Sequence, residues 1–567
     1  MGSGIFSMGT RAIFAAQTML DTTSHNISNA NTPGFSRQQV ELANENGQFT
    51  GAGFFGRGVR VVTISRQAND FMAQEVNRNV SGSSSDQTRL DKLTQLEKVF
   101  PMGTNGLGFA ASQVLNAFVD VANQPQDMSA RQVVIARAQE WVSRVNTAGQ
   151  QIDEIQRGVA MDIQTTVERI NKLTAQIGEA NQAIASYKGA GHSPNDLLDR
   201  RDLLIRQLSE LVQVNTVKAD DGSLSVFMGG GQLLVLGNEV QQLSAVVDPG
   251  DSSLRRVGLV NQANGTSRIL DDNLVTGGSL HGLLRFQGSD LVDTRARLNA
   301  FVSTFANAVN VQQGLGLDAN GQAASTLVFN NTQSATTISV GLSSPRDIAA
   351  ASPFVAVAPP ENRGTASVES LRMVSSDASN SDTVVVRFSA PGAVNGTISY
   401  SLEINGNPVP GGTWTPGQAI DVTLAGGGRY LLNLAGSPRA QSGTTPGDSI
   451  VISPTQFHAG NNGNALAMLT LRDQSVVSLD GSTTATVTDA YSQMVGSLGV
   501  IVQSGRTSAD LSRTLATNSE QVYQGEIGVN LDEEAARLIQ FQQSYQAAAK
   551  ILQVAQRVFD VLLETAR

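Results

Sequence analysis

Apolar residues recur at helical spacing near the start of the chain. They fall at every seventh position, namely Phe6, Ile13, Leu20 and Ile27. Residues spaced in this way lie on one face of an α-helix. The pattern predicts a helix that begins near Ile5 and carries a single apolar stripe.

The segment after this stripe contains a predicted stop signal. Thr32 precedes Pro33, whose ring pushes the preceding residue out of helical geometry. The helix is therefore expected to end near Asn29. Pro33 and Gly34 suit the two central positions of a type II turn, in which glycine accepts a positive φ.

The end of the chain carries a heptad pattern as well. One set of apolar residues recurs at every seventh position: Leu531, Leu538, Tyr545, Leu552 and Phe559. A second set follows at a spacing of three: Phe541, Ala548, Ala555 and Leu562. Such a seam is typical of a coiled coil. Asn530 is the predicted N-cap of this helix, with Glu533 at the capping-box position.

Neither terminal helix can bury its apolar stripe alone, and isolated helices are marginal in water without packing. The simplest solution pairs the two ends of the chain and covers the remaining apolar surface with other copies of the protein. For Leu538, Tyr545 and Leu552 two alternatives remain open, which are burial within one subunit and burial between subunits.

Helical periodicity also dominates the segments inside the two ends. The predicted helices cover residues 86–99, 110–124, 129–187, 193–212 and 291–313. The third is much longer than about 25 residues, which favours a helical rod or a coiled coil over a compact globule. Ser193 is the predicted N-cap of the fourth, and Pro194 its first residue. Short strands are predicted at residues 40–42, at 58–65 and within 215–275.

Residues 327–453 have a different character, with more Thr, Ser, Val, Gly and Pro and with alternating apolar and polar positions. The clearest predicted strands cover residues 383–389, 396–405, 419–425, 429–435 and 448–453. Turn-forming residues separate these strands. The pattern predicts a β-rich domain inserted between two helical segments.

The predicted fold class is mainly α with inserted β, arranged as a discontinuous multidomain rod. Residues 1–60 and 525–567 are expected to form a terminal α-helical coiled coil, the inner domain. Residues 61–322 and 458–524 are expected to form a long-helix bundle with a β-hairpin region. Residues 323–457 are the expected outer β-rich domain.

Composition limits the chemistry available to this chain of 567 residues. It has no cysteine, which excludes disulfides, thiolate metal sites and cysteine nucleophiles. A formal net charge of −10 does not suggest a general nucleic-acid binder. Arg11 interrupts the region where a secretory signal would be apolar, and no stretch reaches the ~18 apolar residues of a membrane span. We expect neither a secretory signal nor membrane insertion.

Local motifs of catalysis or ligand binding are absent or lack the context that they need. Residues 51–56 match G-x-G-x-x-G, but a strand-like segment follows where a dinucleotide site needs a helix. The four histidines, His25, His192, His281 and His458, are too far apart for a local zinc motif. We predict no catalytic, cofactor-binding or metal-binding residues and no cofactor. A carboxylate-based hydrolase in the β insert stays open, because active sites also assemble from distant residues.

The segment HNISNANTPGFSRQ, residues 25–38, has an asparagine-rich stretch followed by Asn-Thr-Pro-Gly and an aromatic residue. It resembles the N-terminal signature of the bacterial flagellar axial proteins, the family of rod, hook and hook-associated proteins. The residues that match are Asn26, Asn29, Asn31, Thr32, Pro33, Gly34 and Phe35. Phe35 stands where the family more usually has tyrosine.

Other segments resemble the hook-associated members of this family. They are residues 528–564, which begin with Gly-Val-Asn-Leu-Asp-Glu-Glu, and residues 193–212, 277–287 and 460–469. The resemblance covers both terminal thirds of the chain. It is weak between about residues 323 and 457, where family members differ most.

The resemblance implies a structural component of the flagellum that forms the junction between hook and filament and has no enzymatic activity. Export through the flagellar type III apparatus and an extracellular location are implied too. The implied partners are further copies of the chain in a ring-like homo-oligomer, the hook protein, a second junction protein on the filament side, and a cytoplasmic export chaperone at the C-terminal segment. Neither nucleic acid nor membrane insertion is implied.

The residues expected at the assembly interface come from the two terminal stripes. They are Phe6, Ile13, Leu20, Ile27, Leu531, Leu538, Phe541, Tyr545, Leu552 and Phe559. The alternatives to a junction role are another hook or rod axial subunit, and a surface adhesin or enzyme carried on the β insert.

Overall fold

The computed structural model describes residues 2–50, 53–187, 193–329, 333–375, 381–391, 396–424 and 427–565. The chain forms two compact units. The first consists of Met1–Thr94, Ile155–Asp290 and Ile501–Arg567, and the second of Gln95–Glu154 and Leu291–Val500. The three-domain division expected from the sequence stays a prediction.

Helices occupy both ends of the chain and much of its length between them. They are α1 (Gly2–Asn29), α2 (Asp70–Glu97), α3 (Leu107–Asn116), α4 (Phe118–Asn123), α5 (Met128–Tyr187), α6 (Asn195–Leu211), α7 (Gly278–Arg285), α8 (Leu291–Gly314), α9 (Gly463–Thr470), α10 (Val487–Ile527) and α11 (Leu531–Thr565). A π-helical turn, Phe286–Asp290, follows α7. The predicted helices at both ends are confirmed, and α1 ends at Asn29 as expected. The helix predicted over residues 110–124 is two helices, α3 and α4.

Two predicted helix starts are wrong. α2 begins at Asp70 instead of residue 86, and its first turns bury Val76. The prediction missed these turns because the Ser-Gly-rich run at 81–85 obscures the helical periodicity of the sequence. α6 begins at Asn195, and no side chain caps it. Ser193 is therefore not its N-cap, and its carbonyl instead accepts a hydrogen bond from the Asn195 amide at 3.0 Å.

The described strands of the first unit form four small antiparallel sheets. β1 (Gln38–Asn44) pairs with β4 (Val59–Arg66), and β2 (Gln48–Thr50) with β3 (Gly53–Phe55). A four-stranded sheet contains β5 (Val214–Lys218), β6 (Leu224–Met228), β7 (Leu233–Leu236) and β8 (Glu239–Val240). A three-stranded sheet contains β9 (Leu243–Val247), β10 (Arg255–Val260) and β11 (Ser267–Ile269). The predicted strands are thus confirmed, and β3 and β4 occupy the place where a dinucleotide site needs a helix.

The second unit contains the predicted β-rich insert. The strands of this unit are β12 (Val328–Phe329), β13 (Ser339–Val340), β14 (Phe354–Val357), β15 (Ser367–Ser375), β16 (Val384–Pro391), β17 (Ile398–Ile404), β18 (Asn407–Trp414), β19 (Ile420–Thr423), β20 (Arg429–Ala435), β21 (Ser449–Pro454), β22 (Val477–Ser478) and β23 (Thr484–Ala485), of which the last two follow the insert. The two main sheets have the orders β14-β21-β16-β17-β18 and β15-β20-β19. All five predicted strands are found, whereas β14, β15 and β18 were not predicted.

The two main sheets of the insert enclose one apolar core. Phe388 of β16 lies in contact with Trp414 of β18, with ring centroids 6.2 Å apart. Between the two sheets, Phe354 of β14 packs against Tyr430 of β20, with ring centroids 5.0 Å apart. Alternate residues of β19, β20 and β21 are buried in this core, as expected for strands with one face toward the interior. The fold is therefore mainly α with inserted β, as predicted.

Phe388→Ala is expected to destabilise the second unit by about 3–5 kcal/mol, because a fully buried aromatic ring leaves a cavity when it is truncated. Chemical denaturation followed by tryptophan fluorescence measures the change, since Trp414 lies beside Phe388. Phe457→Ala is the matched control, because Phe457 is 85% exposed. Its effect is expected to stay within ~0.5 kcal/mol. Equal effects of the two variants would contradict the assignment of this core.

Candidate assembly site at the paired ends of the chain

The first and last helices pack against each other in antiparallel directions. Phe6 of α1 lies edge-on to Phe559 of α11, with ring centroids 6.2 Å apart. Further along α1, Gly9 meets Leu552, and a Cβ on Gly9 would lie 3.0 Å from the Leu552 Cγ. Glycine permits this close approach because it has no side chain. The predicted pairing of the two ends is therefore present within one chain.

The predicted seam of α11 is buried unevenly. In its second set, Ala548 and Ala555 are buried and Phe541 is half-buried. The side chain of Leu562 lies outside the described residues. The alanines therefore form the more deeply buried side of the seam.

The first set of the seam is more open to solvent. Leu538 and Leu552 are half-buried. The exposed members are Leu531, Tyr545 and Phe559, at 50%, 37% and 46%. On α1, the four predicted residues are all half-buried, namely Phe6, Ile13, Leu20 and Ile27. Part of the apolar surface of the predicted interface residues thus remains uncovered in the single chain, and their role at an interface stays a prediction.

A second apolar face of α11 was not predicted. Its members are Ile551, Val554, Val558 and Val561, which are 49%, 57%, 49% and 57% exposed. Their spacing of three, four and three places them on one side of the helix. The spacing is visible in the sequence, but the regular heptads beside it hide it. Phe14 of α1 is also 67% exposed.

The predicted type II turn after α1 is present. The Phe35 amide donates a hydrogen bond to the Thr32 carbonyl at 3.2 Å, and Gly34 has a φ of +80°. The turn packs against α6, because a Cβ on Gly34 would lie 3.0 Å from the Leu203 Cβ. Position 34 therefore needs glycine for its backbone conformation and for the space beside it.

The other residues of the family motif close the end of α1. Asn29 donates from Nδ2 to the His25 carbonyl at 3.0 Å, and Thr32 donates from its hydroxyl to Asn29 Oδ1 at 3.2 Å. The Phe35 ring lies 5.4 Å from the His25 ring. Asn31 and Pro33 are exposed. The motif thus ends the helix and turns the chain toward β1.

A buried polar cluster joins this corner of the chain to the start of α11. Arg37 donates from Nε to Glu534 Oε1 at 2.8 Å, and Asn26 donates from Nδ2 to Glu534 Oε2 at 3.0 Å. The Arg37 amide donates to the Ile527 carbonyl at 2.9 Å. The interface residues predicted from the sequence include neither Arg37 nor Glu534, which are 497 positions apart. No local pattern relates residues at that separation.

The same corner is attached to α6 on its other side. The Ser36 amide donates to Asp199 Oδ2 at 3.0 Å, and Arg66 Nη1 lies 2.8 Å from Asp199 Oδ1. Burial by itself lowers the pKa of Arg66, but the carboxylates of Asp202 and Asp199 raise it above its ordinary value. Arg66 therefore stays charged and holds β4 to α6.

The start of α11 follows the predicted capping only in part. Asn530 Oδ1 accepts from the amides of Asp532 at 3.0 Å and Glu533 at 3.4 Å, so Asn530 is the N-cap. The Glu533 carboxylate does not take the predicted capping-box position toward Asn530. It lies 3.4 Å from Arg37 Nη2 and 3.0 Å from Arg537 Nη2, and these cations hold its pKa below the usual range.

The described residues outside this site offer no candidate metal centre. They contain no group of three or more His, Asp or Glu side chains placed to hold a metal ion. His281 bonds to Ser85, and His458 lies against Gly321, while His192 is outside the described residues. None of the described helices has the length and apolar character needed to cross a membrane.

Three family models match separate parts of the chain. Residues 93–329 match the "Flagellar hook-associated protein FlgK helical domain". Residues 7–35 match "Flagella basal body rod protein", and residues 523–565 match "Flagellar basal body rod FlgEFG protein C-terminal". The two terminal matches cover most of α1 and all of α11, which form the paired helices.

Curated relatives match along the full chain. Flagellar hook-associated protein 1 of Escherichia coli is 28% identical over 573 residues, which cover 99% of each chain. The protein of the same name from Salmonella typhimurium is 28% identical over 593 residues, again with 99% of each chain covered. The chain is thus similar to flagellar hook-associated protein 1 along its whole length. A more distant member from Bacillus subtilis is 26% identical over 341 residues, which cover 55% of this chain and 67% of that protein.

A solved structure shares the fold of this chain. It is described as the flagellar hook junction protein FlgK from Burkholderia pseudomallei, and it superposes with a TM-score of 0.67 at 24% identity. The match covers 80% of this chain and 99% of that structure. The family models and the curated relatives confirm the resemblance to flagellar axial proteins seen in the sequence, and they support the hook-associated branch.

Proposed function

We propose that this protein is a structural component of the bacterial flagellum and forms the junction between hook and filament. The observation that carries the proposal is the match to flagellar hook-associated protein 1 along 99% of both chains. A role as an ordinary rod subunit has less support. The rod-protein models match only residues 7–35 and 523–565, whereas the hook-associated model matches residues 93–329.

We propose that the paired ends are the assembly site. The stripes on α1 and α11 cover each other only in part, and the face formed by Ile551, Val554, Val558 and Val561 stays exposed in the single chain. Burial of such a face provides a large part of the free energy of association. Further copies of the chain in a ring-like homo-oligomer would cover it, with the hook protein on one side of the ring and a second junction protein on the filament side.

We also propose export through the flagellar type III apparatus, with a cytoplasmic chaperone that binds the C-terminal segment before export. The exposed apolar residues of α11 support the chaperone proposal, since an unassembled helix of this kind needs a partner. The absence of cysteine is compatible with passage as an unfolded chain. The location that follows is the external flagellum, and the role that follows is structural rather than catalytic.

Deletion of the gene is expected to leave cells with hooks that lack filaments, and with flagellin lost to the medium. Electron microscopy of the cell surface and an immunoblot of the medium measure the two effects. Restoring the gene on a plasmid is the control and should return the filaments. Normal filaments in the deletion strain would show that another protein makes the junction.

A further inference from the structure

Glu534 is a buried acidic residue at the start of the C-terminal helix. Glu534 is only 1% exposed, although a glutamate side chain ordinarily stays in contact with water. Arg37 Nε and Nη2 both lie 2.8 Å from Oε1, and Asn26 Nδ2 lies 3.0 Å from Oε2. Each oxygen of the carboxylate therefore has its own donor residue, and the charge is matched by one guanidinium.

The N-terminal corner of the chain positions both donor residues. The Asn26 amide bonds twice to the backbone of Gln38, since Nδ2 donates to the Gln38 carbonyl at 2.9 Å and the Gln38 amide donates to Oδ1 at 2.9 Å. These bonds fix which way Asn26 Nδ2 points. Arg37 is 8% exposed, and its carbonyl accepts from the Gln67 amide at 2.8 Å. The corner must therefore be folded before the two donors can receive a carboxylate together.

The apolar seam by itself does not make docking of α11 depend on a folded corner. Apolar contacts between α1 and α11 are not directional, so they favour pairing even when the corner at residues 30–38 is not folded. A carboxylate that becomes buried without its partners is strongly unfavourable, whereas an undocked Glu534 remains in water. The acidic residue therefore penalises docking onto an unfolded corner.

We propose that Asn26 and Arg37 form a socket for the Glu534 carboxylate, and that this socket lets the C-terminal helix dock only onto a correctly folded N-terminal corner. Buried polar groups are known to select one packing arrangement in coiled coils. The three residues are positioning residues of the assembly site. The proposal rests on the proposed function, because its first readout is assembly at the hook.

The test uses full-length variants expressed in the deletion strain. Immunoblots measure the amount of protein in the medium and the amount of protein bound in purified hook structures. Arg37→Met and Glu534→Leu are each expected to reduce the bound protein at least tenfold at unchanged export. Arg37→Met leaves the buried Glu534 carboxylate without its cation, and Glu534→Leu leaves the buried Arg37 with only the half-exposed Glu533 carboxylate at 3.4 Å. The double variant is expected to return to within threefold of the parent, because no buried charge is left over.

A second ion pair on α1 provides the matched control. Arg11 Nη1 lies 3.0 Å from Glu45 Oε2, and the side chains are 32% and 24% exposed. Arg11→Met, Glu45→Leu and their double variant are expected to stay within twofold of the parent. The socket is overturned if the Arg37 and Glu534 single variants incorporate normally, or if their double variant is no better than the singles.

Crosslinking of purified protein separates failure of the socket from failure of the proposed function. The chain has no cysteine, so Gly9→Cys and Leu552→Cys introduce a single reporter pair across α1 and α11. If the parent is absent from hooks, or a variant is not exported, the disulfide yield replaces incorporation as the readout. The same pattern, with low yields in the single variants and recovery in the double variant, is expected. Equal yields in all variants would overturn the socket whatever the location of the protein.

Discussion

Leu552→Asp is expected to prevent incorporation into the flagellum while both export and the second unit remain intact. Leu552 is half-buried against Gly9 in the seam between α1 and α11. A carboxylate forced into such a contact without a partner costs several kcal/mol. Because each ~1.4 kcal/mol is a tenfold change in affinity, we expect at least a hundredfold fewer subunits in purified hook structures. Quantitative immunoblots of the hook and medium fractions measure this ratio.

Gln553→Asp is the matched control for this variant. It adds the same charge one residue further along α11, at an exposed position. Its incorporation is expected to stay within about twofold of the parent, because a solvated charge costs little. Leu538→Asp should behave like Leu552→Asp, since Leu538 is also half-buried. Normal assembly by either leucine variant would remove that position from the proposed interface.

Gly34→Val is expected to have the second largest effect. The position has a φ of +80°, which costs an ordinary L-residue about 1–2 kcal/mol and a β-branched one more. The new Cβ would also lie 3.0 Å from the Leu203 Cβ. We expect the turn to shift and to carry Ser36 and Arg37 away from Asp199 and Glu534. The measurement is incorporation, which should fall at least tenfold at normal export.

Gly56→Val tests whether any bulky residue in this region would have the same effect. A Cβ on Gly56 meets nothing within 4 Å, and its φ is not in the positive region. Incorporation of this control is expected to match the parent. If Gly34→Val assembled as well as Gly56→Val, the turn at residues 32–35 would have no role beyond ending the helix.

Many elements of the fold could be predicted because their causes are local. The stop after α1 follows from Pro33 and Gly34, which act on their own backbone neighbours. The 60-residue helix α5 follows from a long periodic pattern. The start of α2 could not be predicted in this way. Its Ser-Gly-rich turns have little helical preference, and packing of Val76 against Tyr523 and Ile527 stabilises them.

The candidate assembly site was only partly predictable. The heptads predicted an apolar seam on each terminal helix, but they did not indicate which face of α11 would be covered by α1. Which face is covered depends on the partner helix, and α1 covers the alanines most fully. The face of Val554, Val558 and Val561 remains exposed for that reason. The assignment of these residues to contacts between subunits stays a proposal.

The sequence by itself determined two terminal helices with apolar stripes, the turn between α1 and β1, the strands of the insert and a chain without thiol chemistry. These features depend on residue spacing, on backbone geometry and on composition. Only the tertiary structure decided that Glu534 is buried and that Arg37 and Asn26 are its partners. The reason is that burial and charge pairing depend on which distant segments of the chain come into contact, and a local sequence pattern does not predict such contacts.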